Sequence, residues 1–135
     1  MSALSVLESI EARLIGTGGT PARPSVIELD DFFGHDLSGR LRLGLEYPLG
    51  HRLHAAVTID ASYGYPLWSS YSFHLLDARG RTVFRYDNAP HHPELSTFPE
   101  HKHLGELETP HAHLRPSLSA LVEEVQQAAS PEEHR

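Results

Sequence analysis

Hydrophobic and polar residues alternate through the middle of the chain with a period of two, which is typical of strands with one buried and one exposed face. Four segments show this alternation clearly: Leu41–Leu45, Leu53–Ile59, Tyr71–Leu75 and Phe84–Tyr86. A weaker segment at 25–31 contains Ile27 and Leu29. We therefore predict five strands, and residues 101–107 could add a short sixth.

Both ends of the chain change to the helical period, in which apolar residues recur every three or four positions. Residues 3–15 and 118–129 show it, with Ser2 and Ser117 as suitable N-caps and Gly16 as a suitable end for the first helix. The links between strands are short, and short links require antiparallel neighbours. The pattern predicts an α+β fold: an antiparallel meander of five to six strands, flanked by an N-terminal and a C-terminal helix.

Length and composition limit the classes of protein to consider. The 135 residues, 39% of them apolar, predict one domain at 1–129 with a frayed tail at 130–135. The formal charge of −7 excludes a generally basic, nucleic-acid-binding surface but allows a local basic patch. The lack of cysteine excludes disulfides and thiolate zinc sites, and it fits a cytoplasmic protein. We expect no signal peptide and no membrane span.

Histidine is unusually frequent and is concentrated in one segment. Six of the eleven histidines lie between residues 91 and 113, and the single lysine, Lys102, stands between His101 and His103. Five prolines within 88–116 argue against any long regular element there. Because functional residues often sit on loops held by a rigid scaffold, we predict the functional site in this segment.

The residue types of this segment suit cleavage of RNA, which carries its own nucleophile in the 2′-hydroxyl. The reaction needs a base for the hydroxyl proton, an acid for the departing 5′-oxygen and cations for the phosphate. Histidine can perform both proton transfers near neutral pH. We predict a metal-independent catalytic set of His91, His92, His101, His103, Lys102 and Arg85. Tyr86, Asp87 and Asn88 are predicted to bind substrate or to orient a histidine.

A divalent metal site is the first alternative. His101, His103 and Glu108 have the spacing His-x-His-x₄-Glu. Alternate residues of a strand point the same way and lie about 6.5–7 Å apart along it, which suits chelation. The carboxylate would complete a two-histidine, one-carboxylate site. A strand at 101–103 would also turn Lys102 to the opposite face, which weakens a single catalytic site containing both histidines and the lysine.

A structural interpretation of the same residues is the second alternative. Asp87-Asn88-Ala89-Pro90 is a good turn sequence, and Arg85 could form an ion pair with Asp87 two residues away on the strand. Tyr86 shares a face with Phe84 and therefore also suits the core. Under this interpretation the protein is a non-catalytic module whose histidine loop binds a partner protein.

The segment resembles the TumE family of small toxins from bacterial and archaeal toxin–antitoxin pairs. The resemblance rests on Arg-Tyr-Asp-Asn-Ala-Pro-His-His at 85–92, Thr-Phe-Pro at 97–99 and His-Lys-His at 101–103. It is close over 84–104 and elsewhere limited to the order of strands and helix. The resemblance implies a cognate antitoxin, expected to be a small DNA-binding helix-turn-helix protein, and analogy with other small toxins suggests an RNA substrate. The chain departs from the family pattern at Glu100, where a histidine is common.

Overall fold

Two helices and eight strands make up the described part of this computed structural model, which comprises residues 2–32, 35–106 and 109–130. The helices are α1 (Ala3–Ile15) and α2 (Leu118–Ala129). The strands are β1 (Thr20–Pro21), β2 (Val26–Phe32), β3 (His35–Glu46), β4 (Arg52–Asp60), β5 (Leu67–Leu76), β6 (Thr82–Asp87), β7 (His101–Leu104) and β8 (His111–Ala112). The predicted α+β class is confirmed, with somewhat more strands than the five to six predicted. The tail predicted at 130–135 lies outside the described residues except for Ser130.

A serine side chain caps the N-terminus of each helix, as the sequence predicts. The Oγ atom of Ser2 accepts a hydrogen bond from the backbone N–H of Ser5 at 3.1 Å, and that of Ser117 accepts one from Ala120 at 3.1 Å. The first N–H groups of a helix have no partner within it, so these caps stabilise the ends. Gly16 caps the other end of α1. No helix in the described part of the chain is long and apolar enough to cross a membrane.

The sheet is an antiparallel meander in which β2 to β7 each pair with the next strand along the chain, while β1 pairs with the end of β3. Tight turns make this possible. Gly50 and Gly80 occupy the β3–β4 and β5–β6 turns with φ of 95° and 78°, a left-handed backbone that favours glycine. Because the strands pair in sequence order, β6 and β7, which contain or flank residues 84–104, lie toward the edge of the sheet formed by β8.

The core lies between the helices and one face of the sheet. Burial alternates along β4, where Leu53 is buried and Arg52 and His54 are exposed. The buried residues of the helices that join this core are Leu7, Ile10, Leu14, Leu121, Val125 and Ala129. We call the opposite face of the sheet, which carries the polar positions of the strands, the open face.

The pairing of β6 with β7 decides which residues share a face. Asp87 lies opposite His101, and Arg85 lies opposite His103. Since successive residues of a strand point to opposite faces, these four side chains belong to the open face. Lys102 lies opposite Tyr86, on the face that carries the core.

Candidate functional site

Three histidine rings meet on the open face beside β6. His101 and His103 project from β7, and His92 folds back from the loop between β6 and β7. The ring centroids are 5.0 Å apart for His101 and His103, 5.0 Å for His92 and His101, and 6.0 Å for His92 and His103. We call these three residues the histidine cluster.

Asp87 anchors this cluster from within the sheet. Its carboxylate is buried, with Oδ1 2.9 Å from Nε2 of His101 and Oδ2 accepting a hydrogen bond from Nε of Arg85 at 2.9 Å. Oδ1 also accepts the backbone N–H of Ala89 at 3.0 Å, the turn-forming contact that aspartate makes two residues on. One carboxylate therefore ends the strand and fixes both a histidine and an arginine.

Both ring nitrogens of His101 face acceptors. Nδ1 lies 2.9 Å from the backbone carbonyl of Pro99, and a carbonyl can only accept, so Nδ1 carries a proton. Nε2 lies 2.9 Å from Oδ1 of Asp87, and an ionised carboxylate likewise only accepts hydrogen bonds. The side chain of His101 is 1% exposed. His101 is thus placed to orient its neighbours rather than to present a free nitrogen.

His103 offers an unprotonated nitrogen. Its Nε2 lies 3.4 Å from Nη2 of Arg85, and a guanidinium only donates, so the contact is a hydrogen bond only when this nitrogen carries a lone pair. Burial lowers the pKa of His103, and the nearby charges of Arg85 and His101 lower it further. Desolvation and cations disfavour the imidazolium, and together they outweigh the Asp87 carboxylate, whose Oδ2 lies 4.0 Å from Nε2 of His103 and raises the pKa.

His92 lies beside a carboxylate of the same loop. Its Nδ1 is 3.4 Å from a carboxylate oxygen of Glu94, and the pair is weak because Glu94 is exposed. The His92 side chain is 28% exposed, compared with 16% for His103. Nε2 of His92 has no hydrogen-bond partner among the described residues, so it is available to form a hydrogen bond with a ligand.

Lys102 lies on the other face, beneath α2. Its Nζ is 2.8 Å from Oε2 of Glu124 and 4.5 Å from the centroid of the Tyr86 ring. The hydroxyl of Tyr86 donates to Oε1 of the same glutamate at 2.6 Å. Burial raises the pKa of Tyr86, and the hydrogen bond to Glu124 adds to that shift. The structure therefore gives Lys102 and Tyr86 a role in fastening α2 to the sheet, away from the histidine cluster.

Asn88 and His91, two further residues that the sequence suggests, also stand apart from the cluster. The side chain of Asn88 accepts the backbone N–H of Tyr71 at 3.0 Å and donates to the carbonyl of Ser69 at 3.2 Å, so it extends the pairing of β5 and β6. His91 is exposed on the loop. Glu108, the predicted third metal ligand, lies outside the described residues.

Glu100, where the chain departs from the pattern of the resemblance, contacts a core residue. Its carboxylate accepts a hydrogen bond from the hydroxyl of Tyr71 at 3.3 Å. Tyr71 is buried, so this contact lies on the side of the sheet that the helices cover. Glu100 is therefore directed away from His92, His101 and His103.

Two further histidines, His54 and His74, lie on the open face outside the set of site residues that the sequence predicts. The pairing register sets His54 opposite His74, His74 opposite Arg85, and Arg85 opposite His103. Burial lowers the pKa of His74, and Arg85 and His54 lower it further. Both histidines occupy polar positions of strands with alternating hydrophobicity. That pattern shows which face they are on, but only the register between strands shows that they are neighbours of Arg85.

A buried aspartate, one arginine and three clustered histidines lie together on the open face of the meander in this small α+β protein. The family model of toxin TumE matches residues 22–129, and the chain belongs to this toxin family. The matched region begins after α1 and β1 and ends with the last residue of α2. Membership implies an antitoxin partner. No curated protein and no solved structure matches the chain.

Proposed function

We propose that this toxin is an endoribonuclease that cleaves cytoplasmic RNA by metal-independent acid–base catalysis at the histidine cluster. The observation that carries the proposal is the pair of His92 and His103, two partly exposed rings with centroids 6.0 Å apart. Their surroundings differ, since Nε2 of His103 lies 3.4 Å from the Arg85 guanidinium and Nδ1 of His92 lies 3.4 Å from the Glu94 carboxylate. Cleavage through the 2′-hydroxyl needs one group that accepts a proton and one that donates a proton, and histidine can do both.

His103 is the proposed base. It accepts the proton of the 2′-hydroxyl while that oxygen attacks phosphorus. Nη2 of Arg85 lies against Nε2 of His103 before substrate binds. A phosphate oxygen is a stronger acceptor, because it is charged, and it would draw this Nη2 away and release the lone pair. Asp87 holds the same guanidinium through Nε, so the cation remains at the site.

His92 is the proposed acid. It donates a proton to the 5′-oxygen as the bond between that oxygen and phosphorus breaks. The products are a 2′,3′-cyclic phosphate and a 5′-hydroxyl, and the net proton moves from one histidine to the other. Arg85 stabilises the charge on the phosphorus oxygens in the transition state. His101 is a positioning residue whose ring contacts both partners at 5.0 Å.

The family resemblance further supports a small DNA-binding helix-turn-helix antitoxin as the partner. The simplest inhibition is to cover the loop that carries His92, because that loop borders the catalytic pair. An acidic or apolar antitoxin surface would suit the cations there.

A metal-dependent nuclease is the second candidate, and one observation favours it. Each residue of the histidine cluster offers one nitrogen, and these atoms lie within 4.8 Å of one another. Nδ1 of His101 also contacts a backbone carbonyl, as metal-binding histidines commonly do. A divalent ion there would act as a Lewis acid on the phosphate. Against it, Nε2 of His101 faces Asp87, and the Arg85 cation lies 3.4 Å from Nε2 of His103.

The acid–base proposal predicts a bell-shaped pH dependence of RNA cleavage. The base must be unprotonated, and burial and Arg85 lower the pKa of His103, so the ascending limb should lie below about pH 6.5, the usual histidine value. The measurement is kcat/KM from about pH 5 to about pH 9 with chelator present. Arg85→Gln should move this limb to higher pH, because it removes a cation beside the base. A rate that rises steadily across the whole range would contradict the assignment.

A further inference from the structure

A groove crosses the open face beside the proposed catalytic site. Its floor carries small side chains from three neighbouring strands, Gly44, Ala56 and Ser72, and its outer wall is the segment at 22–26. The cavity has a volume of about 620 Å³. Small residues at these positions leave the space open, whereas larger side chains would fill it.

The groove lies on the same face of the sheet as the proposed catalytic site. His54 lines the groove, and the register connects it through His74 and Arg85 to His103 on successive strands. Three strand spacings place the backbone at His54 roughly 14 Å from that at His103. A chain molecule bound at the catalytic pair could therefore extend into the groove along one face of the sheet.

Three arginines line this groove, namely Arg23, Arg42 and Arg52, and we call it the arginine groove. All three are exposed, and no hydrogen bond or ion pair engages their side chains within the described ranges 2–32, 35–106 and 109–130. Arg40, in contrast, forms an ion pair with Asp30 at 3.0 Å. In a chain of net charge −7, three unpaired cations around one concavity reverse the local charge.

We infer that the arginine groove binds the sugar–phosphate backbone of single-stranded RNA beside the scissile phosphate, an inference that rests on the proposed function. Arginine matches phosphate oxygens in geometry and charge. His54 is the one aromatic ring in the described lining, which has no Phe, Tyr or Trp, so base stacking contributes little and the groove should have little base preference. Domains that bind double-stranded RNA contact about 16 base pairs, a much greater length than this groove, so a single strand is the better fit.

The test is binding of a 2′-O-methyl RNA oligomer, which keeps its phosphates but lacks the nucleophilic hydroxyl. Fluorescence anisotropy at several salt concentrations gives the slope of log affinity against log salt. Arg42→Ala and Arg52→Ala should each reduce the magnitude of the slope by about 0.7, the value for one phosphate contact in a single strand. Arg13→Ala is the matched control, because Arg13 is an exposed arginine of α1 and should leave the slope unchanged.

Two further variants separate groove binding from damage to the fold. Glu46→Gln removes the carboxylate of the groove and should tighten RNA binding, a gain that misfolding cannot produce. Ala56→Leu, at an exposed position of the floor, should weaken binding without altering the thermal unfolding temperature.

Unchanged slopes in both arginine variants would overturn the inference, even if ordinary RNA is cleaved. Arginine-dependent slopes with ordinary RNA left uncleaved would support the groove and refute the proposed nuclease. If Arg42 and Arg52 are needed to bind the antitoxin but not the RNA oligomer, the groove is a protein interface and the inference is wrong.

Discussion

We expect His103→Ala and His92→Ala each to lower the rate of RNA cleavage by about 10²–10⁴-fold, the usual contribution of a general base or acid. The reason is that each variant removes one of the two partly exposed rings that are proposed to transfer protons. The measurement is single-turnover cleavage of a defined RNA by purified protein. Circular dichroism would verify that each variant is folded.

His91→Ala is the matched control for this prediction. His91 is adjacent to His92 in the sequence and lies exposed on the same loop, so the two variants share composition and loop context. We expect His91→Ala to cleave within a few-fold of the unaltered protein. Equal losses at both positions would show that the loop as a whole, rather than the ring of His92, matters. A contaminating nuclease would leave all of these rates unchanged.

Arg85→Ala and Lys102→Ala should have separate effects, although both residues are cations of the same sequence motif. Arg85 is held at the histidine cluster by Asp87, so we expect its loss to lower kcat by about 10²–10³-fold, as for one transition-state donor. Lys102 is bound to Glu124 on the opposite face, with its side chain 13% exposed. Lys102→Ala should destabilise the fold by about 1–3 kcal/mol and leave kcat nearly unchanged.

Denaturant unfolding and single-turnover rates of the same samples check this separation. Glu124→Gln is the control for Lys102, because it weakens the same ion pair from the helix side and should destabilise the protein without affecting kcat. A folded Lys102→Ala protein whose rate falls as far as that of Arg85→Ala would contradict the assignment of the two faces.

The alternation of apolar residues was enough to predict the class of fold, because each central strand has one face against the helices and one turned away from them. The same rule shows that a strand at 101–103 separates Lys102 from His101 and His103, and the pairing of β6 with β7 confirms that strand. Periodicity also predicts both helices with their serine caps.

The sequence could not show which of the predicted site residues come together in space. His91 and His92 are neighbours in a proline-rich loop without any period, so the sequence does not determine which of them reaches His101. Asn88 illustrates the same difficulty. Its side chain bonds the backbone N–H of Tyr71 and the backbone carbonyl of Ser69 on β5, and the sequence does not show that these groups lie beside it.

Net charge also hides the arginine groove. Arg42 and Arg52 are separated along the chain by a turn, and only the pairing of β3 with β4 brings them onto one surface. The net charge of −7 adds these arginines to carboxylates elsewhere in the chain. It therefore excludes a generally basic surface but cannot reveal a local basic patch.

The chemistry of the RNA ends produced in excess chelator tests the central claim most directly. Transfer of protons between His103 and His92 predicts continued cleavage in EDTA, with 2′,3′-cyclic phosphate and 5′-hydroxyl ends, and no such ends from His103→Ala prepared in parallel. Activity lost in EDTA and restored by Zn²⁺ or Mn²⁺, with 3′-hydroxyl and 5′-phosphate ends, would contradict the account and favour a metal ion at the histidine cluster.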